Sequence, residues 1–238
     1  MSQFETVLYP TNNDEQGFLR VEELSATGAA ATECMRVQVA AYSKQFENNP
    51  SYPHRLPIGA TAGHFNVYDS DVVRQRRQRM QQFIDAGHTY VGARVTDDEG
   101  NVQGEDSLAG FIKFGPSRGW LQKLGVLSPN MFIGDLAVIP DRQNNAIGST
   151  LLHAATGFGG FDPRRKLALH GFKDSSVNNW FLELGFEAKS RAAIEDVEIG
   201  SYKLPQTLYV SEQGLTIGGL RQRLEDRHPS LAKATFLA

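Results

Sequence analysis

From about residue 130 onward the chain alternates between two periodicities. Met131–Ile139 is an apolar run of strand length that stops at Pro140-Asp141. Ile147, Leu151, Leu152, Ala155 and Phe158 then share one face at helical spacing. Lys166–Gly171 is a second short apolar run. Val177, Phe181 and Leu184 mark another helix over 175–184, capped by Gly185, and a strand restarts at Phe186. Strands that alternate with helices need crossover connections, and crossovers imply some parallel pairing. The expected architecture is α/β, a mixed α+β sheet with helices on its faces.

The earlier part of the chain fits the same layers. Residues 1–25 read as a lead-in with a strand at Phe18–Leu24. Met35, Val39 and Tyr42 predict a helix over 30–46, with Thr32 as its cap, and Val73, Met80 and Ile84 predict another from Asp69 or Ser70 to Asp85, ended by Gly87. His88–Thr96 and Ser107–Phe114 alternate with period two around the turn signal Asp97–Asn101. Residues 47–68 carry three prolines, His54 and His64 and predict an irregular segment that could line an acceptor site. Glu195–Ile199 and Thr207–Val210 are expected to pair as a hairpin, and 219–228 to form a charged helix ended by Pro229.

Composition narrows the function classes. With 40% apolar and 21% charged residues in 238, the chain can bury a sizeable core and is not largely disordered. A net charge of −3 gives no electrostatic footprint for nucleic acid or an anionic membrane. The basic run Arg74–Arg79 has no interleaved aromatics and reads as a solvated helix face. A single cysteine, Cys34, excludes an internal disulfide and any zinc site with two cysteine ligands; its place on the apolar side of a helix reads as core. The six histidines lack metal-ligand spacing, so no metal is expected. No run approaches the ~18–20 apolar residues of a membrane span. The first ten residues do not read as a secretion signal, so a soluble cytoplasmic location is expected.

The chemistry concentrates at one corner, Ile133 to Leu152. A strand ends at Pro140, a polar loop with small residues follows, and a helix begins at once. The first turn of a helix has unpaired N–H groups and the positive end of the dipole. With Ala146 and Gly148 letting a ligand approach, Asn144 to Ser149 could wrap a pyrophosphate with main-chain donors. The other reading is an ordinary strand–loop–helix corner.

This corner resembles the acyl-CoA-binding motif of the GNAT superfamily of N-acyltransferases, Arg/Gln-x-x-Gly-x-Gly/Ala after a Val-x-Pro strand end. The chain has Val138-Ile139-Pro140, then Gln143-Asn144-Asn145-Ala146-Ile147-Gly148. Ala146 stands where glycine is usual; alanine disfavours positive φ, so the loop is expected to be helical or reshaped there. Asn179–Phe186 resembles the family helix that ends in Leu-Gly-Phe, and Asp174 or Ser175 lies where the family often has a cofactor-contacting asparagine. The resemblance covers about Leu108 to Phe186 and implies a GNAT-like domain over 1–210, with 211–238 as a C-terminal helical extension.

The resemblance also implies a mechanism. The sheet would splay beside the fourth strand, Met131–Ile139, and the pantetheine arm of acetyl-CoA, the co-substrate, would lie in that gap against Leu136, Ala137 and Val138. Gln143, Asn144, Asn145, Ala146, Ile147, Gly148, Ser149 and Thr150 would hold the pyrophosphate. Asp135, the only carboxylate on that strand, is a candidate general base, on the expectation that partial burial raises its pKa. An amide near Val138 would serve the oxyanion. Phe181 occupies the place of the family's usual proton-donating tyrosine, beside the cofactor, so the thiolate would leave unassisted, or water or another group such as Tyr202 or Tyr209 would protonate it. The implied reaction is acetyl transfer to a primary amine on a small molecule or a protein, with a homodimer left open. The alternatives are a non-catalytic acyl-CoA-binding or sensing module and an interaction protein with a degenerate cleft.

Overall fold

The computed structural model describes residues 6–11, 18–47, 70–97, 99, 101, 102, 104, 107–116, 131–158, 161–172, 175, 177–199, 202–211 and 215–236. At 43–47, 158, 172, 189–199, 202–208 and 211 only the backbone is described. His54, His64, Trp120 and Asp174 fall outside this set. In chain order the elements are β1 (Val7–Pro10), β2 (Phe18–Glu23), α1 (Gly28–Glu47), α2 (Ser70–Asp85), β3 (Thr89–Val95), β4 (Leu108–Gly115) and β5 (Met131–Val138). These are followed by α3 (Ile147–Phe158), β6 (Leu167–Phe172), α4 (Val177–Glu183), β7 (Phe186–Ile199), β8 (Tyr202–Ser211), α5 (Ile217–Arg227) and β9 (Thr235–Phe236).

The strands form one sheet in the order β7-β8-β6-β5-β4-β3-β2-β1-β9. Among the described residues only β5 and β6 pair in parallel; the other pairings are antiparallel. The parallel pair is the one joined by the α3 crossover, as the alternation after residue 130 requires.

Helices cover both faces. On one, α1 and α2 bury Ala31, Cys34, Val37 and Met80 against Tyr90, Phe111 and Ala137 of the sheet. Burial pushes the Cys34 thiol up to about 12, which keeps it unreactive there. On the other, α3, α4 and α5 bury Leu151, Leu152, Ala155, Phe181, Leu184, Leu220 and Leu224 against Val91, Ile112, Phe114 and Leu169.

Several sequence expectations shift. β1 lies within the expected lead-in over 1–25 and pairs with β2 and β9 near the sheet edge, so the strand expected fourth is fifth in the chain. Thr27, not Thr32, caps α1: its Oγ1 accepts from the Ala30 amide, whereas the Thr32 hydroxyl donates to Gly28 O inside the helix. Glu195–Ile199 does not face Thr207–Val210. Bulges shift the β7–β8 register, so Thr207 meets Ala193 while Ile199 meets Tyr202. The helix expected late in the chain does form as α5. Its Leu220 and Leu224 enter the same core as the sheet, and β9 joins that sheet beyond β1.

Candidate active site

β5 holds the sheet together at one end and lets it open at the other. It pairs with β6 through Met131, Phe132 and Ile133 and no further. On its other side it stays paired with β4 as far as Val138. Past Ile133, β6 runs away with β8, keeping Phe172 opposite Gln206. A gap therefore opens between β5 and β6. His170 stands at its apex, its Nε2 donating to Gly134 O at 2.8 Å. A carbonyl only accepts, so in the neutral ring the basic nitrogen is Nδ1.

The backbone facing this gap follows from strand alternation. Ile139 N–H donates to Ala109 O, toward β4. The main-chain groups of Val138 and Leu136 consequently point the other way, into the gap. Two bonds agree: Val138 O accepts from Gln143 Nε2 at 3.1 Å, and Gly134 O accepts from His170. Of the three residues expected to meet an extended arm, Leu136 and Val138 have main chain in the right direction. Ala137 does not; its main chain faces β4, and its side chain is buried against α1.

The loop after Pro140 is a cradle of amides. Pro140–Arg142 is one 3-10 turn, closed by Gln143 N–H to Pro140 O. Asn144 has φ 67 and Ala146 φ 59. Ala146 therefore keeps the left-handed conformation in which glycine is at home, so of the two expectations for this loop, helical or reshaped at Ala146, the helical one does not hold. A left-handed residue followed by helical Ile147 turns consecutive N–H groups into one concavity. Among the described residues, no acceptor meets the amides of Asn144, Asn145, Ala146, Ile147, Gly148 and Ser149. A Cβ on Gly148 would meet only Trp180, at 3.6 Å, so this turn is open on its outer side. Geometry and donor set fit a pyrophosphate.

Two expected ligands of that group are otherwise engaged. The Thr150 amide and hydroxyl both donate to Ala146 O, at 2.8 and 3.0 Å, so neither joins the cradle. The Gln143 amide is held by Pro140 O and its side chain by Val138 O; it braces the loop against β5. Ile147 contributes only its amide, since its side chain is buried in the core.

Asp135 differs most from expectation. It lies two residues past the last pairing with β6, at Ile133, and faces α1 and α2. Its Oδ2 lies 2.7 Å from Lys113 Nζ, and both side chains are largely buried. Burial pushes its pKa up, but Lys113 and Arg76, the Lys113 hydrogen bond and His170 together outweigh this and hold it below the usual carboxylate value. The raised pKa expected of a base is absent, because Lys113, on β4, sits opposite, a pairing that no local spacing reveals. Gly134 makes the pair possible: a Cβ there would lie 2.4 Å from Lys113 Cε. Lys113 Nζ also caps the Phe83 ring at 4.0 Å.

Phe181, expected beside the cofactor, is buried, its ring 5.5 Å from that of Tyr209 on β8 and 5.3 Å from that of Trp180. Tyr209 is itself buried beside Gly171 at the far side of the gap. Tyr202 opens β8 opposite Ile199, and its side chain is outside the described set. Ser175 caps α4, its Oγ accepting from the Val177 amide at 3.3 Å. Lys113, His170 and Arg76 had no site role in the sequence reading; no local spacing links them to Asp135. Among the described residues there is no metal-ligating cluster and no helix long and apolar enough to cross a membrane.

No family model and no curated protein matches the chain. Solved structures do. A GCN5-related N-acetyltransferase from Rhodopseudomonas palustris shares 16% identity over 81% of this chain and 94% of its own, with a TM-score of 0.51. An uncharacterized protein (bh2621) from Bacillus halodurans shares 10% identity over 94% of this chain and 98% of its own, with a TM-score of 0.54. The fold is that of the GNAT acetyltransferases, a mixed and mostly antiparallel sheet covered by helices.

Proposed function

We propose that this chain transfers an acetyl group from acetyl-CoA to a primary amine by direct attack of the amine on the thioester. One observation carries the reading. The main-chain groups of Leu136 and Val138 that open onto the gap lie on the strand that leads, through Pro140, into the unpartnered amides of Asn144–Ser149. The first feature suits an extended, amide-bearing arm that pairs as a strand would. The second suits a diphosphate. Pantetheine joined to pyrophosphate presents both in that order.

In the transfer the amine nitrogen bonds to the carbonyl carbon, the C–S bond breaks, and the thiolate of CoA leaves and takes up a proton. Val138 N–H, turned into the gap, donates to the carbonyl oxygen as charge builds on it. The amine must lose a proton. Asp135, held ionised by Lys113, is a poor base and serves to orient the amine. In its neutral form His170, at the apex, offers Nδ1, a buried nitrogen, to take that proton. Phe181 has no proton to give, and Tyr209, against its ring, is the nearest described phenol to supply one. No nucleic-acid or membrane partner is proposed.

Calorimetry with acetyl-CoA tests the binding half, and free-thiol release with a panel of amines tests the catalytic half. Absence of binding below millimolar concentration would overturn the assignment. Phe181 favours a second reading, an acyl-CoA-binding or sensing module. Tight binding with no thiol release from any amine would select it.

A further inference from the structure

Arg76 is the one arginine of the α2 run that turns inward. Arg74, Arg77 and Arg79 are exposed, and Arg74 pairs with Asp71. Arg76 is half-buried, with Nε and Nη2 shut off from solvent and without a hydrogen-bond partner. The described carboxylates nearest it are bonded to other cations. Asp135 holds Lys113, and Glu33 holds Arg94, whose Nη2 donates to Glu33 Oε2 at 2.6 Å. Cys34, Tyr42 and Tyr90, which also feel Arg76, are neutral. The guanidinium therefore shares Asp135 with Lys113 and keeps two idle donors. Burying such a group without a partner is unfavourable, and the oxygens of a carboxylate match its fork.

The position gives this cation a use. Asp135, within Coulomb range of Arg76, lies two residues past Ile133, where β5 loses β6 as a partner. The α1/α2 face meets the gap there, on the side of the sheet opposite the core that α3 packs. Arg76 lies one turn before Met80, the residue by which α2 packs on this face, and Phe83 of the same helix touches Lys113. We propose, resting on the acetyl-transfer reading, that the accepting amine also carries a carboxylate and that Arg76 receives it.

The test pairs amines that differ only in this charge: L-α-amino acids against their α-amides, and ω-amino carboxylates against the matching alkylamines. Thiol release from acetyl-CoA is followed with each. The preferred carboxylate should exceed its uncharged partner in kcat/KM by about tenfold or more, the size expected of a charge-assisted fork, chiefly through KM. Arg76→Met should erase the preference while leaving acetyl-CoA affinity and melting temperature at or above the wild-type values. Arg76→Lys, which keeps the charge and loses the fork, should retain part of it. Equal turnover of charged and uncharged partners, a preference that survives Arg76→Met, or turnover of no carboxylate overturns the proposal. A wild-type protein that fails to bind acetyl-CoA brings down the transfer reading itself. One that acetylates amines without regard to charge brings down this inference alone.

Discussion

Lys113 and Asp135 form an ion pair across neighbouring strands, 2.7 Å apart, over a glycine whose missing side chain leaves room for the lysine stem. The pair sits where β5 leaves β6, so it braces the gap without filling it. Removing one member leaves the other buried and unmatched. Lys113→Met should lower unfolding stability by about 3 kcal/mol, and Lys113→Met with Asp135→Asn should recover much of that. Because the folded pKa of Asp135 is depressed, its contribution is present above the ordinary aspartate value of about 3.9 and is lost as pH falls through the folded value. Urea unfolding from pH 7 to 3 should show an acid-side loss in wild type that is smaller in Asp135→Asn.

Gly148 separates folding from binding. A Cβ there has only an ordinary contact with Trp180, so Gly148→Ala should melt as wild type does. Gly148→Glu should also fold, yet it sets a carboxylate against the amide cradle. Calorimetry with acetyl-CoA should register at least a hundredfold loss for it, roughly 3 kcal/mol. Unchanged affinity would mean that the diphosphate binds elsewhere.

Ala146 holds a conformation that L-residues disfavour, with φ 59. Glycine relieves that strain at some entropic cost, so Ala146→Gly should raise stability by about 0.5–1 kcal/mol and leave acetyl-CoA affinity equal or better. Ala146→Val, β-branched at positive φ, should lower both. Thermal melts and calorimetry on the two variants read this directly.

A second buried network ties α3 to the end of the chain. Tyr9 O–H donates to His153 Nδ1 at 3.0 Å, and His153 Nε2–H donates to Glu225 Oε1 at 2.8 Å. This arrangement needs a neutral ring. Burial, ahead of the opposing Glu225 hydrogen bond, holds the His153 pKa below its usual value of about 6.5. The unfolded chain binds the extra proton more readily, so stability should fall as pH drops from about 6.5 through the folded value. His153→Phe should flatten that limb and cost about 1–3 kcal/mol at pH 7 by stranding the Tyr9 hydroxyl, while Glu225 keeps Arg221. Chemical unfolding at pH 7.5, 6.5 and 5.5 distinguishes the two proteins.

Deleting residues 214–238 tests whether the C-terminal segment is separable. It removes Leu215, Ile217, Leu220, Leu224 and Leu231 from the main core and strips β1 of its outer partner. The shortened chain should lose its cooperative melt, read by circular dichroism.

What local patterning could determine, it did. The helices at 28–47, 70–85, 147–158 and 177–183 and the strands at 89–95, 108–115 and 131–138 each carry their own period. Pro140 stops β5 and Gly185, at φ 89, ends α4 because those residues permit little else and little less. The strand–loop–helix corner was legible for the same reason: its signal is contiguous. The four-residue β1 was not, being too short to show alternation. Nor were the partnerships of the site. Lys113, Arg76 and His170 reach Asp135 and Gly134 from three other elements, through the register of β4 on β5 and the packing of α2 on the sheet. Burial alone would have raised the Asp135 pKa; the cations that lower it are distant in sequence, and only tertiary contact brings them within Coulomb range.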